Sequence, residues 1–213
     1  TTAERPAPST LVYAYEHGTP EALWATAPVL DTLDLPAREW AVERTGSAFG
    51  LMRDLSIFGY DFGAVPAAVA PAVDAPEPVI IIETDITIGD IRRVIIGVRS
   101  RIGSERLRFQ YDPAEDTRLI SINGMVINDP EELTWADHWG TPAPMIYLEL
   151  EVPAGDPISF DIIEHLLRPE ELLGPEVFSR PDYLAPDIIR ESDRAMLLYR
   201  FQEPQETIEA TSR

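Results

Sequence analysis

Between Val79 and Ser100 the chain reads VIIIETDITIGDIRRVIIGVRS, two runs of β-branched residues joined by Gly89-Asp90. Branching at Cβ crowds the preceding turn of a helix but packs well on a pleated surface. Gly-Asp suits a tight turn, so the segment reads as strand, turn, strand. Arg106–Tyr111 continues the meander. Asn123-Gly124 is the strongest hairpin signal, because a two-residue type I′ turn wants positive φ at both of its positions. Further runs at Met145–Val152, Ile158–Ile163 and Ala195–Phe201 bring the count to seven or eight strands separated by turn residues. This spacing predicts a mainly β fold, an immunoglobulin-like β-sandwich with an N-terminal hairpin and one or two short helices.

The rest of the chain divides around that unit. Residues 1–10 read as a flexible lead-in, 11–78 as an N-terminal hairpin, helix and Ala/Pro-rich connection, 79–201 as the β-sandwich and 202–213 as a polar tail. Leu11–Tyr15 and Ala22–Thr26 alternate large and small residues around Glu16–Pro20, a hairpin with a longer loop. Asp34 is a candidate N-cap for a helix from Leu35 to Arg44 with Pro36 in its first turn and Gly46 as its stop. Ala37, Trp40 and Ala41 give that helix one apolar face. From Phe58 to Pro78 the pattern dissolves into Gly, Ala and Pro, which predicts an extended surface connection. Short helices are expected near Asp129–Leu133 and Pro169–Leu173.

A chain of 213 residues with 45% hydrophobic content can bury one full core. No apolar run approaches the roughly 20 residues of a membrane helix. Thr1–Pro6 is polar from the start, so export would require a leader or anchor outside the chain shown. All 17 basic residues are arginine, set against 37 Asp and Glu for a formal charge of −20. Such a field opposes nucleic acid and anionic lipid headgroups as partners. The absence of cysteine excludes disulfides and thiolate chemistry without fixing a compartment.

From Glu164 to Phe201 the sequence reads EHLLRPEELLGPEVFSRPDYLAPDIIRESDRAMLLYRF, two Pro-punctuated segments ending in Ser192-Asp193-Arg194 and then a strand-like run. This layout resembles the C-terminal end of bacterial membrane-anchored zinc exopeptidases, the aminopeptidase family related to glutamate carboxypeptidase and the transferrin receptor. Leu11–Tyr15 with Ala22–Thr26 looks like the opening hairpin of that family's β domain, Ile91–Ser100 like its central strand and Ile120–Val126 like the following hairpin. The resemblance implies an extracytoplasmic β domain, on the periplasmic or extracellular side of a bacterial membrane.

It does not imply the activity. Two-zinc hydrolysis needs His, Asp and Glu ligands converging on the metals with a position left open for water. His17, His138 and His165 lie far apart in sequence and none has metal-ligand spacing. No catalytic residue of the family can be placed here, and no metal or cofactor is expected. The chain therefore reads as a non-catalytic structural or interaction module, an accessory subunit of a membrane-associated complex, respiratory or photosynthetic among the options. Its partner would be a membrane protein complex or a membrane-anchored polypeptide. The alternative is an ectodomain fragment of a membrane-anchored zinc exopeptidase, supporting its catalytic domain.

The most site-like cluster is Trp135-Ala136-Asp137-His138-Trp139-Gly140. Trp135 and Trp139 are candidate protein-contact anchors and His138 a pH-sensitive contact, while the competing reading has the aromatics capping one end of the sandwich. Asp112–Asp116 and Asn128–Glu132 gather hard oxygen ligands, but neither follows a calcium-loop pattern, and turn and capping chemistry accounts for both. Glu16-His17 and Glu164-His165 read as surface or loop residues. Arg190, Arg194 and Arg200, with Glu191 and Asp193 between them, read as turn-locking ion pairs. No nucleophile elbow or phosphate loop is present.

Overall fold

The computed structural model describes residues 7–26, 35–59, 63–111, 117–128, 134–140, 145–182, 184–186 and 193–204. Asp34, the 112–116 cluster, the helix and oxygen cluster expected across 129–133, and Arg190 to Ser192 lie outside these residues. The described elements run β1 (Ala7–Ser9), β2 (Val12–Glu16), β3 (Glu21–Ala25), α1 (Leu35–Thr45), β4 (Leu51–Asp54), β5 (Ala64–Pro71), β6 (Val79–Ile88) and β7 (Ile91–Arg99). They continue with β8 (Arg106–Gln110), β9 (Arg118–Ile122), β10 (Met125–Val126), β11 (Trp135–Trp139), β12 (Ile146–Pro153), β13 (Ser159–Leu166), α2 (Glu170–Leu173), β14 (Leu184–Pro186) and β15 (Arg194–Gln202). The fold is mainly β and, among the described residues, is built on two large sheets, with β1 and β14 forming a separate parallel pair.

One sheet has five strands in the order β10-β9-β12-β7-β6 and the other has eight, β11-β8-β13-β15-β2-β3-β5-β4. Period-two alternation decides what lies between them. Val94, Ile96 and Val98 of β7 pair with Leu150, Leu148 and Ile146 of β12, so all six point to one side. Facing them from the larger sheet are Leu107, Phe109, Ile162 and Phe160, and together these residues form one buried cluster. This is a β-sandwich core. Burying each such side chain contributes roughly 1.5–3 kcal/mol relative to leaving it in water.

The turns follow their local chemistry. Asn123 and Gly124 have φ of 50° and 76°, the left-handed pair that a type I′ hairpin requires. The Asn123 side chain is also used: its Oδ1 accepts from the Tyr147 N–H at 2.8 Å, fastening the β9–β10 turn to β12. Gly89, at φ 62°, closes the β6–β7 hairpin.

The N-terminal hairpin adds to the larger sheet, where β2 runs parallel to β15. Residues on either side of position 78 therefore share one sheet. Its middle is covered on both faces. On one face Trp40 and Ala41 of α1, with Phe49, pack on Tyr13, Trp24 and Leu197. On the other, Leu55 and Phe58 from a 3-10 turn at Ser56–Phe58 pack on Val12, Ile163, Met196 and Leu198. Helix α1 stops at Gly46, whose φ of 65° and N–H donated to the Val42 carbonyl complete a C-terminal cap.

Two expectations are corrected. The Ala/Pro-rich stretch is not wholly a surface connection: residues 64–71 form β5, inserted between β3 and β4. Val65, Ala67, Ala68 and Ala70 are buried there, and the Pro66 carbonyl accepts from the Thr26 N–H at 3.0 Å, so proline costs the ladder a donor but not an acceptor. Glu164 and His165 are neither surface nor loop residues. Both lie in β13 with no exposed area.

Candidate functional site

Strand β11 is the last strand of the eight-stranded sheet, paired on one side with β8. Strand periodicity splits the WADHW cluster. Ala136 turns into the sandwich core, which puts His138 on the core side with it, half-buried. Trp135, Asp137 and Trp139 share the opposite face. Across from them in register stand Gln110, Arg108 and Arg106.

These residues form one assembly. The Arg106 guanidinium lies 4.7 Å from the Trp139 ring centroid and that of Arg108 4.3 Å from Trp135. Between them Asp137 accepts from Arg106 Nη2 at 2.6 Å and from Arg108 Nε at 2.8 Å. Arg108 Nη1 also donates to the Gly59 carbonyl at 3.2 Å, tying the 3-10 turn to the strand. Burial would raise the Asp137 pKa, but the hydrogen bonds from Arg108 and Arg106, and then their charges, hold it below the ordinary carboxylate value. Asp137 therefore stays ionised and both arginines are nearly fully buried. The two indoles remain 44% and 55% exposed, and that contrast defines the site: rigid aromatic plates toward solvent, with charge sealed beneath them.

A second polar group lies behind the first. His165 neighbours Arg106 in register, and its Nδ1 accepts from Arg194 Nη1 at 3.2 Å. With Nδ1 an acceptor, the neutral ring carries its proton on Nε2, which finds no partner among the described residues. Burial first, then the charges of Arg106, Arg194 and Arg108, push its pKa well below the usual value. His165 is thus a neutral spacer between buried guanidiniums. On the opposite face of β13, Glu164 Oε1 accepts from Ser104 Oγ at 3.2 Å, and burial pushes its pKa up to about 7 against the lowering effect of Ser100 and Ser104. Both groups are sealed from solvent, so neither is presented to a substrate.

The remaining candidates are dispersed. His17 is half-buried, 5.4 Å from the Tyr15 ring and 5.9 Å from that of Tyr199. Arg200 is engaged away from the turn that precedes β15. Arg200 reaches across strands to Glu16 at 2.7 Å and to Asp161 at 3.6 Å, and Asp193 pairs with Arg180, which stacks on Trp40 at 4.4 Å. Among the described residues there is no cluster of three or more His, Cys, Asp or Glu able to hold a metal ion. No helix among them is long and apolar enough to cross a membrane.

Arg106 and Arg108 were absent from the sequence-derived site. Their signal was the alternation Arg-Leu-Arg-Phe, which puts both arginines on one face of a strand, but nothing local connects that face to a tryptophan thirty positions on. The fold and site define a two-sheet β protein whose most site-like surface is a Trp/Arg edge. Comparison with protein families, with characterised proteins and with solved structures finds no match to this chain.

Proposed function

We propose that this protein works by contact rather than catalysis, as an accessory module that docks onto a membrane-associated protein assembly through the face carrying Trp135 and Trp139. The observation that carries this reading is the pair of half-exposed indoles fixed over buried arginines on the terminal strand of a sheet. Tryptophan and arginine dominate the energetics of protein interfaces, and an indole already held in place loses little freedom on binding. The edge of β11 can in addition accept a partner's backbone. The extracytoplasmic location is part of the proposal and rests on the resemblance of the C-terminal segment to the outer domain of membrane-anchored zinc exopeptidases.

The test is extraction from source membranes in mild detergent, with size separation and mass spectrometry, comparing the wild-type protein with a Trp135→Ala/Trp139→Ala variant. The wild type should migrate as a chain near 23.8 kDa held in a much larger complex. The variant should be released while keeping its far-UV spectrum. Migration of the wild type alone, or retention of the variant in the complex, overturns the reading. Recovery of a far larger polypeptide carrying two zinc ions would replace it with the peptidase ectodomain.

A further inference from the structure

The five-stranded sheet presents a second edge, remote in connectivity from β11. Strand β6 terminates that sheet and pairs only with β7 among the described residues. It is ten residues long, and Ile81, Ile82, Ile86 and Ile88 are all exposed, Ile88 at 73%. Across the turn Ile91 extends the apolar strip. A long apolar edge is a standing template for strand pairing, which proteins suppress with lysine, proline, bulges or a cover. Here there is no lysine or proline in the strand. The devices present are a break in register between Ile82 and Thr84, where Glu83 is the extra residue, and the acidic side chains of Glu83 and Asp85.

Those acids select the occupant. Asp85 shares Arg92 with Glu203, and one face away Arg93 is shared by Glu149 and Glu151. Each arginine thus meets two carboxylates, and Glu83 has no ion pair among the described residues. The neighbourhood is net negative. A second copy of this chain is a poor fit, because β6 pairing with itself near its centre sets Glu83 against the Glu83 or Asp85 of the other copy, and like charges directly opposite destabilise a strand pair. A strand with cationic residues at alternate positions has the complementary pattern, and its intervening apolar side chains would cover the isoleucines. We infer that the free edge of β6 is a strand-addition site for a basic, extended segment of another polypeptide. The site lies in the other sheet from the tryptophan face and stands or falls separately from it.

The probe is a synthetic peptide alternating lysine and valine. Its controls are the same peptide with glutamate in place of lysine, and the lysine–valine peptide N-methylated on alternate residues so that it cannot extend a ladder. Because any cation is drawn to so acidic a protein, the readout is residue-resolved amide hydrogen exchange. At a peptide concentration about ten times its Kd, exchange within 79–88 should slow on the order of tenfold. Neither control should produce this, Glu83→Lys should weaken the effect severalfold, and Trp135→Ala/Trp139→Ala should leave it unchanged. Protection outside β6, equal protection by the N-methylated or glutamate peptide, or insensitivity to Glu83→Lys overturns the inference. So does sedimentation showing that the chain alone dimerises with its β6 amides protected, which would make a second copy the occupant.

Discussion

Replacing Glu164 by glutamine should make the protein more stable at neutral and alkaline pH while changing little in acid. Glu164 lies in the middle of the larger sheet with no exposed area, its Oε1 taking a hydrogen bond from Ser104. Burial pushes its pKa from 4.5 up to about 7. Between those two values the folded protein keeps a proton that the unfolded chain has released, so stability falls as pH rises. Below the lower value both states are protonated and nothing is lost. Above the upper one both are ionised and the loss is complete. At 1.36 kcal/mol per pH unit, that interval of about 2.5 units corresponds to about 3 kcal/mol, a large share of the 5–15 kcal/mol by which a domain is held folded. Glutamine keeps the shape and the acceptor for Ser104 but has no charge to desolvate. Urea unfolding of both proteins from about pH 4 to about pH 8 isolates the effect, since every other titrating group cancels in the difference. The gap should open by about 3 kcal/mol in favour of Glu164→Gln, most of it between about pH 5 and 7. A gap that stays constant across the range would refute the account of Glu164 as a buried carboxyl kept neutral by its surroundings.

Two further outcomes follow from the Trp/Arg assembly. Asp137→Asn leaves Arg106 and Arg108 buried without their shared carboxylate and should cost about 3 kcal/mol in chemical unfolding. Because its pKa is lowered in the folded protein, the stability Asp137 supplies is present above the ordinary Asp value and fades as pH falls below it, so the variant's deficit should shrink in strong acid. Gly59→Ala places a Cβ at φ 69° and 2.5 Å from Arg108 Nη1, whereas Gly18→Ala, at φ 81°, meets nothing within 4 Å. The Gly59 variant should therefore lose clearly more than the roughly 1–2 kcal/mol of a left-handed backbone penalty alone, read as a larger drop in Tm than for Gly18→Ala.

Features encoded within a few residues were legible before the structure. The β6–β7 and β9–β10 hairpins were legible because Gly89-Asp90 and Asn123-Gly124 solve a local backbone problem, and α1 because Gly46 ends it. Strand β5 was hidden by composition: alanine and proline carry little β signal, and that segment is a strand because β3 and β4 flank it with their backbones. Trp135 and Trp139 stood out by residue type, but reading WADHW as one cluster overlooked that a strand sends alternate residues to opposite faces, which separates His138 from the tryptophans. Arg106, Arg108, Arg194 and His165 meet only through the registers of β8, β13 and β15, and those registers are set by the sheet as a whole. Glu164 and His165 looked like ordinary surface polars because nothing adjacent in the chain indicates that β13 lies at the centre of a sheet covered on both faces.

The parallel pairing of β15 with β2 has a consequence for synthesis. Val12 and Arg194 are partners across about 180 residues, and β15 is the strand that joins β2, β3, β5 and β4 to β13, β8 and β11. A nascent chain emerging from the ribosome can close its hairpins early, but the larger sheet stays in two halves until residue 202 has been made. The edge of β2 then stays open through most of the synthesis of residues 1–202, that of β13 only from residue 166 onward, and closure over so long a loop is slow. Pairing of β15 on both of its sides is thus the step that completes the larger sheet, and a chain ending before Arg194 would lose the connection between the halves rather than a fraying end.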